Sequence, residues 1–286
     1  MKYSYLLLLS FVWGMYYIFN KIAVQYADVF TVGIFIRVLV FIILSFILFF
    51  RKRIKELKII KIAFKELFLI GFLGFLLDIF AFLGLNYSTA SNGSLLLKSD
   101  IFFTDIISLF LGVRFTSFDL FGSISMILGI LLVLNVDFAN LSFNFGDIFF
   151  ILSALFISLN AFLIKYVQKK YKIKNMIIAF YNNFFAMLFF IFISYKFSDR
   201  FFEFKGTIFL LLAGICQFLI YILYYYNLHK FPIWIVRTFL LFTPVFVTII
   251  GTLFLNEKMI FVQIIGIFLI LFGGFIIILK QKGVKS

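Results

Sequence analysis

The chain has 286 residues, of which 65% are hydrophobic and 13% charged, with a formal net charge of +14. That apolar share is far above a soluble domain's, and no polar stretch is long enough to make a separate one. One cysteine, Cys216, and one histidine, His229, exclude a disulfide framework and a His/Cys metal site.

Apolar runs of about 20 residues, the length that crosses a bilayer as a helix, recur from end to end. Ten spans are predicted, at about 3–22, 30–50, 67–86, 91–111, 118–136, 147–166, 175–195, 206–228, 232–254 and 259–279. The first is longer than a signal-peptide core, and no small-x-small cleavage site follows it. Between the second and third spans, the basic stretch from Arg51 to Glu66 reads either as a topology signal or as an amphipathic helix on anionic lipid. With the N-terminus in the cytoplasm, eighteen of the 26 Lys and Arg fall on that side, Lys2 and Arg114 among them. The other side holds four: Lys196, Arg200, Lys205 and Lys258. This positive-inside bias accounts for the net charge without nucleic acid and puts both termini in the cytoplasm of a multi-pass protein of the cell (inner) membrane.

Residues 1–140 and 141–286 overlay at a nearly constant offset of 144, which sets Asp100 on Pro244, Arg114 on Lys258, Gly122 on Gly266, Gly129 on Gly273 and Lys21 on Lys165. Each half holds five spans, an odd number, so the second enters the membrane from the opposite side. The expected fold is all-α: ten transmembrane helices as two inverted five-helix repeats, residues 1–140 and 141–286. A site near the midplane between such repeats is the architecture of many secondary transporters.

Particular motifs resemble a known family. Trp13-Gly14 followed by Asn20-Lys21, and Arg37 in the second span, look like the opening of EamA-type transporters of the drug/metabolite transporter superfamily. The stretch from Leu85 to Asn92 is similar to that family's entry to the fourth span, and Gly146-Asp147 to the opening of the sixth. Pro244-Val245-Phe246, the block from Leu253 to Lys258, and Gly266 with Gly273-Gly274 resemble its ninth and tenth spans. The resemblance implies a ten-helix carrier of small organic solutes, often an exporter of amino acids or metabolites. The first half departs from the pattern, with Asp100 where the family has Pro and Gly112-Val113-Arg114 where it has Gly-Glu-Arg.

Six ionisable residues fall within the spans: Arg37, Lys98, Arg237, Asp78, Asp100 and Asp105. Each costs roughly 2.5–3.5 kcal/mol at a helix centre, so six unpaired would cost on the order of 15–20 kcal/mol. They are expected inside the bundle, as structural ion pairs or as groups that bind cargo. Lys98 and Asp105 are seven apart and share a helix face, with Phe102 between them, so a zwitterion could set its carboxylate on Lys98 and its ammonium on an acid. Arg37 and Arg237 lie near span ends and could snorkel. Pro244 is expected to kink the ninth span and free the Leu240 carbonyl, as a hinge or as simple bending. Trp13 reads as a cavity aromatic or as packing beside Gly14. Gln217, Tyr221 and Tyr224 share a face, while an interfacial belt also explains Tyr224–Tyr226.

No P-loop for ATP hydrolysis and no Ser-His-Asp set are present, so no enzyme and no cofactor are expected. The expectation is a secondary transporter exporting a small polar metabolite, amino acids first, by alternating access. Its substrate-binding candidates are Lys98, Asp100, Asp105, Asp78, Trp13, Gln217, Tyr221 and Arg237, with Pro244 as hinge. Protons are the candidate coupling ion, carried by Asp78, Asp100 or Asp105. A flippase for a lipid-linked carrier is the alternative. A lipid-processing enzyme is weaker, because the i, i+5 spacing of Asp100 and Asp105 makes a poor chelate.

Overall fold

The computed structural model describes residues 3–87, 96–113, 115–133, 145–197, 202–254 and 260–283. Lys2, Arg114, Arg200, Lys258, the motif residues 88–92 and the boundary at 140/141 lie outside them. Within them the helices are α1 (Ser4–Ala23), α2 (Val29–Phe50), α3 (Ile60–Tyr87), α4 (Asp100–Phe110), α5 (Ser117–Val133) and α6 (Phe145–Tyr171). There follow α7 (Asn175–Phe197), α8 (Thr207–Lys230), α9 (Ile233–Phe239), α10 (Thr243–Phe254) and α11 (Phe261–Gly283). Tight 3-10 turns occupy Ile54–Ile59, Leu97–Ser99, Phe204–Gly206 and Leu240–Phe242.

Four segments, Val29–Phe50, Phe145–Tyr171, Asn175–Lys196 and Phe204–Lys230, are long and apolar enough to cross a membrane. Phe110 is 87% and Phe192 80% exposed, whereas Thr104, Ser153 and Asn183 are fully buried. Polar groups therefore face inward, where they find partners, and aromatic bulk faces out.

Local chemistry sets several helix ends. The Asp28 carboxylate accepts from the backbone N–H groups of Phe30 and Thr31, each at 3.1 Å, which starts α2 by satisfying two donors that a helix start leaves open. Lys52 (φ 53°) and Lys172 (φ 51°) are left-handed just past the ends of α2 and α6. α3 carries a non-helical residue, Ala63, that tilts its first basic turn away from the rest.

The packing is reciprocal. α1 lies on α8 and α6 on α3; α2 lies on α8 and α7 on α3; α4 lies on α6 and α10 on α1; α2 and α7 meet each other, as do α5 and α11. The last pair runs antiparallel. Gly122 faces Gly273 and Gly129 faces Gly266, and a Cβ added to either of the latter two would stand 2.6 Å from the other's carbonyl oxygen. Small residues thus let two backbones touch, the usual device for close helix contact in lipid. Midway, the Ser125 hydroxyl donates to the Leu269 carbonyl at 3.0 Å, across the repeat offset of 144 positions.

Loops gather at two ends. At the basic end, Glu56 accepts from Arg53 (2.7 Å) and from Lys174 of the α6–α7 connection (2.6 Å). These two cations hold the Glu56 carboxyl down from 4.5 to about 2. Glu66 is lowered as well, by the hydroxyl of Tyr171 and the ammonium of Lys170. At the opposite end the Glu203 N–H donates to the Tyr26 carbonyl at 2.7 Å, beside an isolated bridge between Ala27 and Phe202.

Two spans tighten into 3-10 turns along their course. In the fourth, the Leu97–Ser99 turn runs directly into α4, so the course from Lys98 to Asp105 is tightened at its start and stays helical. Phe102 points outward, 55% exposed. In the ninth, the chain tightens into Leu240–Phe242 immediately before Pro244, which lacks the N–H to continue the ladder. The Leu240 carbonyl, expected to be free, accepts the Thr243 N–H within that turn. At the start of the turn the Phe239 carbonyl accepts the Ser10 hydroxyl of α1 at 2.8 Å.

Candidate functional site

Arg237 of α9 is only 4% exposed and meets partners from three other helices. Its Nη1 lies 3.2 Å from an Asp100 carboxylate oxygen, and its Nη2 donates to the Ile157 carbonyl at 3.1 Å and to the Tyr224 hydroxyl. The guanidinium also covers the Tyr224 ring, 5.0 Å from its centroid. Trp13 stands edge-on to the same ring at 5.9 Å. Asp100 is fixed through its backbone: the Ser158 hydroxyl donates to its carbonyl at 2.8 Å, and Thr104 donates to Ser158 at 3.1 Å.

Beside this pair lies a small cavity of about 30 Å³, lined by Trp13, Tyr17, Lys98, Asp100, Arg237 and Thr243 among others. Lys98 lies within electrostatic reach of both Asp100 and Arg237. Arg237 Nε and Thr243 Oγ1 are buried without a partner among the described residues. Buried polar groups rarely stay unsatisfied unless a ligand, water or strain accounts for them.

A second unit sits between α2, α3 and α8. Arg37, 4% exposed, pairs with Asp78 and donates to the Tyr221 hydroxyl, with its guanidinium 5.8 Å from that ring's centroid. Gln217 is within hydrogen-bonding reach of the same hydroxyl. Asn183 of α7 donates to the Arg37 carbonyl at 2.7 Å, and Asn182 donates to the Tyr225 hydroxyl at 2.5 Å.

The eight substrate-binding candidates thus fall into two groups and one outlier. Trp13, Lys98, Asp100 and Arg237 line one cavity; Asp78, Gln217 and Tyr221 belong to the second unit; Asp105 joins neither, and its Oδ1 is buried without a partner. Neither arginine snorkels, because each carboxylate partner lies in the interior and the pair stays together there. Tyr224 and Tyr225 are buried, so a belt role is left only to Tyr226, 37% exposed. Pro244 opens α10 next to Thr243, a wall of the cavity. Sequence reasoning passed over Tyr17, Ser10 and Thr243. Tyr17 stands one turn after Trp13, and Thr243 precedes the proline, where hydrogen-bonding is already disturbed. Those were the available signals.

The chain matches the model of the EamA-like transporter family twice, over residues 1–135 and 144–279. It therefore belongs to that family of multi-pass membrane transporters, within the drug/metabolite transporter superfamily. No curated protein matches it by sequence. A solved structure described only as "Crystal structure of protein" superposes with a TM-score of 0.82 over 98% of this chain and 98% of its own, at 11% identity. At that identity the likeness concerns the fold alone.

Proposed function

We propose that this protein is a secondary transporter built as two inverted five-helix repeats, residues 1–140 and 141–286, that exports amino acids or related small polar metabolites by alternating access. The observation that carries the reading is the small cavity at Lys98, Asp100 and Arg237, where three ionisable side chains meet inside the bundle. Intramembrane ionisable groups are expensive and mark substrate paths by default. The reciprocal packing and the antiparallel α5–α11 contact support the inverted arrangement. The 3-10 turn before Pro244 supplies a hinge beside the cavity. The basic end, with Arg53, Lys170 and Lys174, is the cytoplasmic one by the positive-inside rule, which places both termini inside. Asp78 and Asp100 are committed to arginines, which leaves Asp105 as the carboxylate to carry a coupling proton.

Purified protein in liposomes tests this by exchange of labelled amino acids against an unlabelled pool. Exchange above that of empty liposomes, lost on Arg237→Gln, supports the carrier. No exchange, together with transbilayer movement of a lipid-linked sugar, would replace it with the flippase.

A further inference from the structure

At the basic end, the segment after α2, the α6–α7 connection and the end of α8 surround an open cavity of about 720 Å³. That volume is within the ordinary range of small-molecule sites. Arg53, Lys169, Lys172 and Lys174 line it. Arg53 (2.7 Å) and Lys174 (2.6 Å) share one carboxylate, that of Glu56, while Lys169 and Lys172 form no ion pair among the described residues. Four cations against one carboxylate leave a formal excess of three positive charges. The end of α8 does not absorb that excess. Its Leu228 carbonyl (3.0 Å) and the Phe231 carbonyl beyond it accept from Lys165 Nζ, and its Tyr225 carbonyl accepts from Gln168 Nε2 at 2.9 Å. The 23-residue α7 begins in the cavity wall at Asn175, so its first N–H groups add to the same polarity.

Gln168 supplies a different signal. It is 5% exposed, and its Nε2 also donates to Asn175 Oδ1 at 3.0 Å, which fixes the amide. Its side chain lines the cavity, and its Oε1 is buried without a partner among the described residues. A buried carbonyl oxygen calls for a donor. The fitting ligand therefore brings negative oxygens to the cations and a hydroxyl to Gln168. We propose that this cavity binds a phosphate ester that carries a hydroxyl, with the phosphate on Lys169, Lys172 and the first turn of α7 and the hydroxyl on Gln168 Oε1. A soluble polyol phosphate and the headgroup of phosphatidylglycerol offer the same groups. The site shares no residue with the cavity at Arg237, so it stands or falls apart from the cargo reading.

The test uses the purified protein in a neutral detergent, heated with glycerol 3-phosphate, ethyl phosphate or sulfate, and separately with dihexanoyl phosphatidylglycerol or dihexanoyl phosphatidylcholine. A ligand that binds only the folded state raises the melting temperature by mass action. Glycerol 3-phosphate should raise it more than ethyl phosphate, which lacks the hydroxyl, and more than sulfate. That result assigns the site to a soluble ester; a response confined to phosphatidylglycerol assigns it to the lipid headgroup. Lys169→Gln combined with Lys172→Gln should weaken the apparent affinity about three- to tenfold, the scale of two exposed ion pairs. Lys170→Gln removes a neighbouring charge that is paired with Glu66 and is not in the cavity wall, and should leave the affinity unchanged. Gln168→Met should abolish the advantage of glycerol 3-phosphate over ethyl phosphate. The comparison of ligands on the unaltered protein decides the matter even if that variant fails to fold. No response to glycerol 3-phosphate or phosphatidylglycerol overturns the proposal. So does a response that ethyl phosphate, sulfate or phosphatidylcholine matches, or one that Lys170→Gln weakens as much as the double variant.

Discussion

Tyr221 and Tyr224, one turn apart on α8, each accept a hydrogen bond from a guanidinium, Arg37 of the first half of the chain at one and Arg237 of the second at the other. Two buried arginine–carboxylate–tyrosine units therefore share a single helix. The two tyrosines stand about 60° apart around the α8 axis by helical geometry, so a turn or slide of α8 disturbs both units together.

The Arg37–Asp78 pair should behave as a buried salt bridge. Removing one partner strands the other charge, at a cost of about 3–5 kcal/mol. Asp78→Asn and Arg37→Gln should each lower the melting temperature of the detergent-solubilised protein, and the double variant should lose less than the two summed. Additive losses would mean that the pair is not an energetic unit.

Ser10→Ala deletes the donor to the Phe239 carbonyl at the turn in the ninth span. Losing one buried hydrogen bond of this kind costs about 0.5–1.5 kcal/mol. The variant should melt earlier, and the α9–α10 junction should gain amide exchange. Unchanged protection there would rule out Ser10 as its support.

The glycine seam predicts intolerance to bulk. Gly129→Val and Gly266→Val each force α5 from α11, and overpacking of this kind costs about 1–3 kcal/mol. Gly112→Ala is the comparison that leaves packing alone, since a Cβ there meets nothing within 4 Å, although its φ of 80° adds backbone strain. Equal losses at all three would discount the seam.

At the basic end, Glu56 titrates near 2 when folded against 4.5 ordinarily, so its contribution is complete above about pH 4.5 and fades as the pH falls toward 2. Glu56→Gln should cost less than about 1 kcal/mol at neutral pH, as partly exposed pairs do. The difference from the unaltered protein should disappear on acidification through that window. A gap that persists or widens in acid has the wrong sign for this pair.

If Asp105 carries the coupling proton, exchange by Asp105→Asn should lose its pH dependence, whereas Asp78→Asn and Asp100→Asn should lose rate or stability instead. Retention of the full pH profile by Asp105→Asn would end its candidacy.

How far the sequence could be read depends on whether a signal is local. Apolar runs, the charge bias and the offset of 144 are carried by neighbouring residues or simple counting, so the helical course and its reciprocity were legible. The six intramembrane charges were legible as interior groups because solvation cost alone demands it. Their partners were not: Arg237 meets Asp100 at 137 positions' remove, and helical spacing on one element says nothing about which other element arrives. The 3-10 turn at Leu97–Ser99 was not legible either: no proline or glycine in it announces the tightening, and the turn packs against α6. Pro244 announced a disturbance of the helix, but the Leu240 carbonyl is not left free, because Thr243 donates to it within the turn.

The hydrogen bond from Ser125 to Leu269 joins two positions that are counterparts of each other, flanked by glycine contacts that exchange under the same shift. Residues meet their own counterparts where identical subunits associate about a two-fold axis. A homodimer must accept every substitution there twice. A single chain accepts it once, so one face can hold its shape while the other changes, and a hydroxyl now stands opposite a leucine where a true dimer would set like against like.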